Sequence, residues 1–485
     1  MTMTEDTPTY DVIVVGAGSA GIPCALAAAR AGARVLLVEK DRQVGGTLHL
    51  SGGHLSAAGT RRQKERGIED SHAEHLADIM RISDGSVRDD LATICVEHAT
   101  ETVDWLDDQG FDFAPETPRI VYGHEPYHVP RTYYGVDGAL SVLAVLRPAL
   151  DEAVNSGAVE LWTDSPLIEL HRSHEGSVEE VTVIRKGTDT RVRARHGVVL
   201  ATGGFASNAE MFEEIEKAPL VSAAHPTSTG DGLFLAREIG AGMQGLGYHM
   251  PTFGGLPSAT SPGRANWADR PLLIAAERPP VEIYVDQGGS RWVAEDEESI
   301  DLKERALATL PDQTFWMIFD DAMLEATRET RPLVVGWSVE DVRERANVRP
   351  GVHSAATVEE LAQVAGIDAE GLSETIRTYS EAVALGRDDL HGRTHLPMPF
   401  GSGPFYALRN HAIALVTFAG IDVDTDLAVR TEDGQPIPGL YAAGEVIGAA
   451  ATCGRSFCSG MLMTPALTLG RLLGERLGAA SSGRD

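Results

Sequence analysis

Tyr10-Asp-Val-Ile-Val-Val-Gly-Ala-Gly-Ser-Ala-Gly21 decides the fold. Residues 12–15 are apolar and β-branched, so they read as a buried strand. The strand enters a Gly-x-Gly-x-x-Gly turn at Gly16, Gly18 and Gly21. An Ala-rich helical stretch (22–31) follows, then a second strand (33–39). The three glycines suit a tight turn, a close backbone approach to pyrophosphate, and helix-on-strand packing. Ser19 and Ala20 lie between them, where the free N–H groups and positive dipole end of a helix face phosphates. Glu39 ends the second strand, where a carboxylate accepts from ribose hydroxyls, and Lys40 follows it. Strand, helix, strand and terminal acid together point to a dinucleotide, either NAD or FAD.

The chain has 485 residues, enough for two or three domains with sizeable cores. Its formal net charge is −30, which makes nucleic acids and anionic membranes poor partners. No apolar run approaches bilayer length, and residues 1–6 carry no basic n-region, so the expected location is cytoplasmic. Cys24, Cys95, Cys453 and Cys458 are scattered. The last two are too far apart for a CxxC pair and no His cluster accompanies them, so no metal site is expected. Residues 479–485 read as a frayed tail.

Further along, Gly45-Gly46-Thr47-Leu-His-Leu-Ser51-Gly52-Gly53 suggests backbone held close to a flat ligand. Residues 70–110 read as helical, with Gly110 as a C′ glycine. Residues 115–135 hold the densest polar-aromatic cluster, with Tyr122, His124, Tyr127, His128, Arg131, Tyr133 and Tyr134. It is either a surface loop with half-buried tyrosines or the wall of a substrate pocket. A helix is expected over 138–156, and strands over 159–184 with a charged hairpin at 174–180 between them. A buried strand ends at Thr202-Gly203, and Asp231 stands at a helix start. Composition shifts near 255–270, and residues 266–400 read as an inserted domain with strands at 281–286 and 315–320. The chain closes through Gly444-Glu445, then Gly460, Leu462 and Met463, into a helix over 464–477.

These motifs, in this order and spacing, resemble the fumarate reductase/succinate dehydrogenase flavoprotein superfamily over nearly the whole chain. The resemblance implies an α/β architecture. A non-contiguous Rossmann-type FAD-binding domain (1–265 and 401–485) would carry an inserted α+β capping domain (266–400). It also implies substrate between the two, against the flavin, and hydride exchange between flavin N5 and carbon. The FAD contacts it implies are Gly16, Gly18, Ser19, Ala20, Gly21, Glu39, Lys40, Gly46, Thr47, Ser51, Gly52, Gly53, Leu167, Thr202, Gly203, Asp231, Gly444, Glu445, Gly460, Leu462 and Met463. The place of the covalent-flavin His holds Gly46, and His49 is offset, so non-covalent FAD is implied.

Departures from the reductases matter more for function. Their general-acid Arg falls on Leu324, in Phe319-Asp-Asp-Ala-Met-Leu324. Their relay Glu is matched by Glu295, but the relay Arg falls on Glu298 and the substrate-carboxylate His on Val416. A site without its proton donor cannot protonate the carbanion left by hydride transfer, which disfavours fumarate or succinate. The stretch 453–470 is closer to the 3-ketosteroid dehydrogenases, which desaturate a ring ketone. Their catalytic Tyr lands on Phe457, a Ser of the Δ4 branch on Ser459, and a second cap Tyr near Ser299, so their set is also incomplete.

Desaturation needs a base near the α-carbon and donors toward an enolate oxygen. Tyr133 and Tyr134 are the candidates for the base or its relay. Arg131 is the cation to lower their pKa. Arg455 is placed to grip a substrate carboxylate, Ser459 to donate to a carbonyl, and Phe457 to wall the substrate ring. The expected function is FAD-dependent α,β-desaturation of a small ketone, such as the keto acid 4-oxocyclohexanecarboxylate. A quinone, O2 or another acceptor would take the electrons. The alternatives are an ene-reductase, a ketosteroid dehydrogenase and a flavin-binding module without turnover.

Overall fold

The computed structural model describes residues 7–482. Residues 1–6, on which the reading of the N-terminus rests, lie outside the described residues, as do 483–485.

The larger sheet has eight strands. Its main path runs Ala428–Arg430, Pro436–Ala442, Thr188–Leu200, Thr9–Val15, Val35–Val38, Val159–Trp162. The first strand lies inside, parallel to both neighbours, with Val15 beside Val38 on one side and Leu200 on the other. Val12, Ile13 and Val14 are fully buried, as a central parallel strand with both faces covered requires. Leu167–Arg172 and Val178–Arg185 extend the sheet as an antiparallel hairpin. Strands 9–15, 35–38 and 188–200 end at Gly16, Glu39 and Ala201, so their carboxyl ends open onto one crevice.

The first helix, Gly21–Arg30, packs on the last, Met463–Ser482. A Cβ on Gly470 or Gly474 would come within 2.2 Å of the Ala20 or Cys24 carbonyl oxygen, so the two helices touch backbone to backbone. This contact carries the last helix on to Ser482, so residues 479–482 are helical rather than frayed.

The smaller sheet is antiparallel and five-stranded. Phe405–Ile413 is its hub, pairing with Thr252–Gly255, Thr314–Asp320 and Val352–Ala355, and Ile283–Val285 closes the far edge. Two of these strands, at 252–255 and 405–413, fall outside the interval 266–400. The sheet and its helices, Ile300–Leu307, Val358–Ala365 and Ala369–Leu385 among them, surround a second hydrophobic core. A buried ion network ties it together: Arg278 with Glu282, Arg291 with Glu295 and Asp388, Arg393 with Glu295. Among the described residues no helix is long and apolar enough to cross a membrane.

Candidate active site

A cavity of about 520 Å³ runs between the two cores. One end lies at the first turn. Gly16, Gly18, Ser19 and Ala20 line it, with Glu39 and Lys40 from the second strand's end. Gly16 has φ +103° and its Cβ would meet the Ala201 oxygen at 2.2 Å. At Gly21 a Cβ would sit 1.7 Å from the Gly16 oxygen. Both therefore serve the turn itself, and Gly21 does not line the cavity. Gly18 differs. A Cβ there meets nothing closer than the Gly45 oxygen at 4.0 Å, so its missing side chain leaves room on the cavity side. Glu39 is buried and accepts from the Ala17 and Asp41 N–H groups at 2.8 Å each, with burial raising its pKa. Lys40 donates to Asp231 at 2.8 Å and to Thr229 at 2.6 Å.

The middle of the cavity is walled by Gly46, Thr47, Ser51, Gly52 and Gly53 on one side and by Leu167, Thr202, Gly203 and Asp231 on another. Gly444, Glu445, Gly460, Leu462 and Met463 come from the C-terminal part. Thr202 Oγ1 is buried with no hydrogen-bond partner. Burial pushes the Glu445 carboxyl up to about 7, against the Thr417 and Gly204 N–H groups that it accepts from. His49 does not line the cavity, and its Nε2 is 3.0 Å from the Val44 oxygen.

The other end is mostly apolar and belongs largely to the smaller core. Val121, Phe253, Leu272, Leu273 and Ile274 form walls. Phe457 stacks on His124 (ring centroids 5.0 Å apart) and meets Phe418 edge-on. Arg119 and Arg270 reach this end, with Glu277 between them. Arg119 lies 3.8 Å from Glu277, and the Arg270 guanidinium lies over the Trp267 ring at 4.4 Å. Burial holds two imidazoles neutral here, pushing His54 down to about 4, with the Arg119 charge adding to the effect, and His124 to about 3. None of Arg119, Arg270, His54 and Glu277 stands out in the sequence, where each reads as an isolated surface polar residue.

Tyr134, Ser459 and Phe457 line the cavity, whereas Tyr133, Arg131 and Arg455 do not. Tyr133 is fully buried, its hydroxyl 2.5 Å from Thr60 Oγ1 and its ring against Phe113. Arg131 is fully buried between Asp70 (2.7 Å) and Asp78 (2.6 Å), so its charge is spent on those carboxylates and acidifies neither Tyr133 nor Tyr134, both of which are raised. The Tyr134 hydroxyl instead donates to Glu116 at 2.6 Å, and burial, then that carboxylate, push it up to about 12. Arg455 is exposed and lies 4.4 Å over the Tyr248 ring, which removes it from the carboxylate-gripping role. Ser459 Oγ accepts from Thr132 Oγ1 at 3.2 Å. Of the positions compared with the reductases, Val416 lines the cavity, Leu324 is buried in the second core, and Glu295 is locked in the ion network there.

The FAD binding domain family matches residues 11–461. The chain belongs to this family. It is an FAD-dependent oxidoreductase. It is 29% identical to a probable fumarate reductase of Shewanella frigidimarina over 96% of this chain and 74% of that one. It is 26% identical to the 4-oxocyclohexanecarboxylate 2-dehydrogenase of Sinomonas cyclohexanicum, covering 98% and 94% of the two chains. The 3-ketosteroid-Δ4-(5α)-dehydrogenase of Rhodococcus jostii RHA1 superposes with a TM-score of 0.71 at 27% identity, covering 98% of each chain.

The residues fit FAD. The space beside Gly18 suits a pyrophosphate at the N-terminus of the first helix, and Glu39 is fixed where an adenosine ribose would lie. The orphaned Thr202 hydroxyl and the glycine-walled middle stretch suit a flat polar ligand beyond it.

Proposed function

We propose that the protein dehydrogenates a small ketone between its α and β carbons, with a cyclic keto acid such as 4-oxocyclohexanecarboxylate as the substrate type. The observation that carries this reading is the combination at the far end of the cavity. Apolar walls stand there with two guanidinium groups, Arg119 and Arg270, and one carboxylate, Glu277, which pairs more closely with Arg331 at 2.9 Å. An apolar ring bearing one carboxylate matches both features, since desolvated guanidinium–carboxylate contacts are strong and bidentate. Non-covalent FAD, when bound, supplies the two-electron acceptor, and a quinone or O2 is the proposed outlet for its electrons.

Tyr134 is the proton handler in this reading. Its own hydroxyl proton already points at Glu116, so its oxygen takes the α-proton as Glu116 takes the phenolic one. Glu116 is exposed, which lets the proton leave to water. The hydrogen bond from Tyr134 lowers the Glu116 pKa, so the carboxylate is ionised before the step and releases to water any proton it is handed. Tyr134→Phe should slow flavin reduction by about 10²–10⁴-fold.

The test is anaerobic mixing of oxidised holoenzyme with 4-oxocyclohexanecarboxylate and with cyclohexanone. Bleaching of the flavin is expected. If neither compound bleaches it, the reading is wrong. A second reading, reduction of an enone or unsaturated acid, is favoured by the same Tyr134–Glu116 chain, which runs equally well as a donor. Photoreduced enzyme that is reoxidised by enones, while oxidised enzyme ignores ketones, would establish it.

A further inference from the structure

The helix Ile300–Leu307 is wedged between the loop near residue 125 and the segment that carries Phe457. Ser299 at its N-cap donates to Glu125. Arg305 donates to the Arg455 oxygen at 3.0 Å and to Ser456 Oγ at 3.2 Å. This docking turns one face of the helix, bearing Ile300 and Glu304 one turn apart, into the cavity wall. Glu304 is 1% exposed. Its Oε1 accepts from the Phe253 N–H at 2.9 Å, and its Oε2 is buried with no partner. Thr252, the residue before that N–H, also lines the cavity and is 6% exposed, and its Oγ1 likewise has no partner. Two fixed, unpartnered polar groups on residues that line the cavity are costly unless a ligand completes them.

Charge decides which ligand. Burial and the neighbouring Asp301 raise the Glu304 pKa far above the ordinary carboxylate range. The opposing influences are the Phe253 N–H, Arg305 and Lys303, and they do not reverse this. The Lys303 amine donates to the Leu273 oxygen at 3.0 Å and is itself pushed down to about 8 by burial, so it is a weak counter-charge. A neutral carboxylic acid and a hydroxyl each offer an O–H donor to a ligand in the cavity.

We infer that Glu304 and Thr252 form the seat for an uncharged carbonyl oxygen of the substrate, with Glu304 acting as a protonated hydrogen-bond donor to that oxygen. The inference rests on the dehydrogenation reading and adds the group that polarises the ketone. As the α-proton leaves, negative charge gathers on the carbonyl oxygen, and a fixed neutral donor in a dry wall stabilises it. The proton stays on Glu304, so no further acid or oxidant is needed. The same seat discriminates between ligands. The seat is buried and Lys303 is its weak counter-charge, so a carboxylate placed there would lose its hydration without a paired cation, and the anionic end of a keto acid goes to Arg119 and Arg270.

The test uses holoenzyme in wild-type, Glu304→Gln, Glu304→Leu and Thr252→Val forms. Infrared difference spectra on phenol binding should show a protonated carboxylic acid band that shifts in wild type and vanishes in both Glu304 variants. Titration with 4-substituted phenols, mimics of an enolate oxygen, read by the flavin spectrum, should weaken tenfold or more in Glu304→Leu and in Thr252→Val. Flavin reduction by 4-oxocyclohexanecarboxylate should slow by about 10²–10³-fold in Glu304→Leu and less in Glu304→Gln, whose amide still donates. Glu304→Leu that binds phenols and reduces flavin like wild type overturns the inference, as does a missing acid band in wild type. If no ketone reduces the wild-type flavin, the dehydrogenation reading falls by itself, and the phenol and infrared results still decide the role of Glu304.

Discussion

Gly18→Ala separates a glycine kept for a ligand from glycines kept for the fold. Gly18 is not in the positive-φ region, and an added Cβ comes no closer than 4.0 Å to another residue's atoms. Alanine in a compatible backbone stabilises a protein by about 0.4–1 kcal/mol through the unfolded chain, so the FAD-free protein should melt at the same temperature or slightly higher. With FAD the sign reverses. The Cβ occupies the space through which pyrophosphate approaches the amides at the helix start. Losing one hydrogen bond to a charged group costs about 1.5–3 kcal/mol, or roughly 10- to 150-fold in Kd. At FAD held at about 100 times the wild-type Kd, binding stabilises wild type by about 2.7 kcal/mol, and a variant with Kd raised about 100-fold keeps only about 0.4 kcal/mol. Paired thermal melts with and without FAD, with flavin fluorescence titration for Kd, measure both halves. Gly21→Ala is the contrast, because its Cβ would lie 1.7 Å from the Gly16 oxygen and the fold must give way. A Gly18→Ala protein that binds FAD as wild type does, or one that collapses without FAD, would refute the assignment of this turn.

Arg455→Ala should leave KM unchanged for every substrate. Arg119→Ala and Arg270→Ala should each raise KM about tenfold for 4-oxocyclohexanecarboxylate and leave cyclohexanone unaffected; equal effects on both ketones would remove the carboxylate grip. Arg131→Met leaves the buried Asp70 without its cation, while Asp78 keeps Arg81 at 2.7 Å and His128 at 2.8 Å, so the urea midpoint should fall by the equivalent of about 3 kcal/mol while the folded fraction keeps its kcat. Glu445 gives a pH signature in FAD-free protein. Its folded pKa of about 7 lies above the ordinary 4.5, so the folded state holds the extra proton between those values. Stability should therefore be greatest below about pH 4.5 on this account and decline as pH rises through 7, by an amount of order 3 kcal/mol. Glu445→Gln should flatten that decline in melts taken across the range, and an unaltered slope would assign it elsewhere.

The FAD half was legible because its chemistry is written in backbone. Glycines at 16, 18 and 21 do their work through φ, close contact or empty space, and each is visible one residue at a time. Strand 9–15 was legible for the same local reason, since a fully buried parallel strand shows as an unbroken apolar run. The substrate end is different. Tyr133 and Tyr134 are adjacent on an extended segment, so they point to opposite faces, and only one of them could ever meet the substrate. Sequence alone does not say which. The pairing of Tyr133 with Leu55 turns it toward Thr60 and leaves Tyr134 facing the cavity. Arg131 misled for a related reason. Nearness in sequence to a tyrosine counts for little against two aspartates that are 53 and 61 residues away in the chain and within 2.7 Å in space.

Helix 300–307 shows why the remaining chemistry resisted reading. Asp301, Lys303, Glu304 and Arg305 look like the solvated side of a surface helix, yet the first three are buried. Nothing within the helix makes them so. The smaller core covers one side, and another is covered by the segment carrying Ser456 and Phe457, whose Arg455 lies 150 residues beyond Arg305 in the chain. Once both are in place, water is excluded and the same letters acquire different protonation: Asp301 rises to about 6, Lys303 falls to about 8 and Glu304 stays neutral. A residue's charge at such a position is a property of the closed cleft rather than of the residue. Local pattern therefore recovers the cofactor site, which one continuous turn begins, and misses the acid at its far end, which exists only where two separately built cores meet.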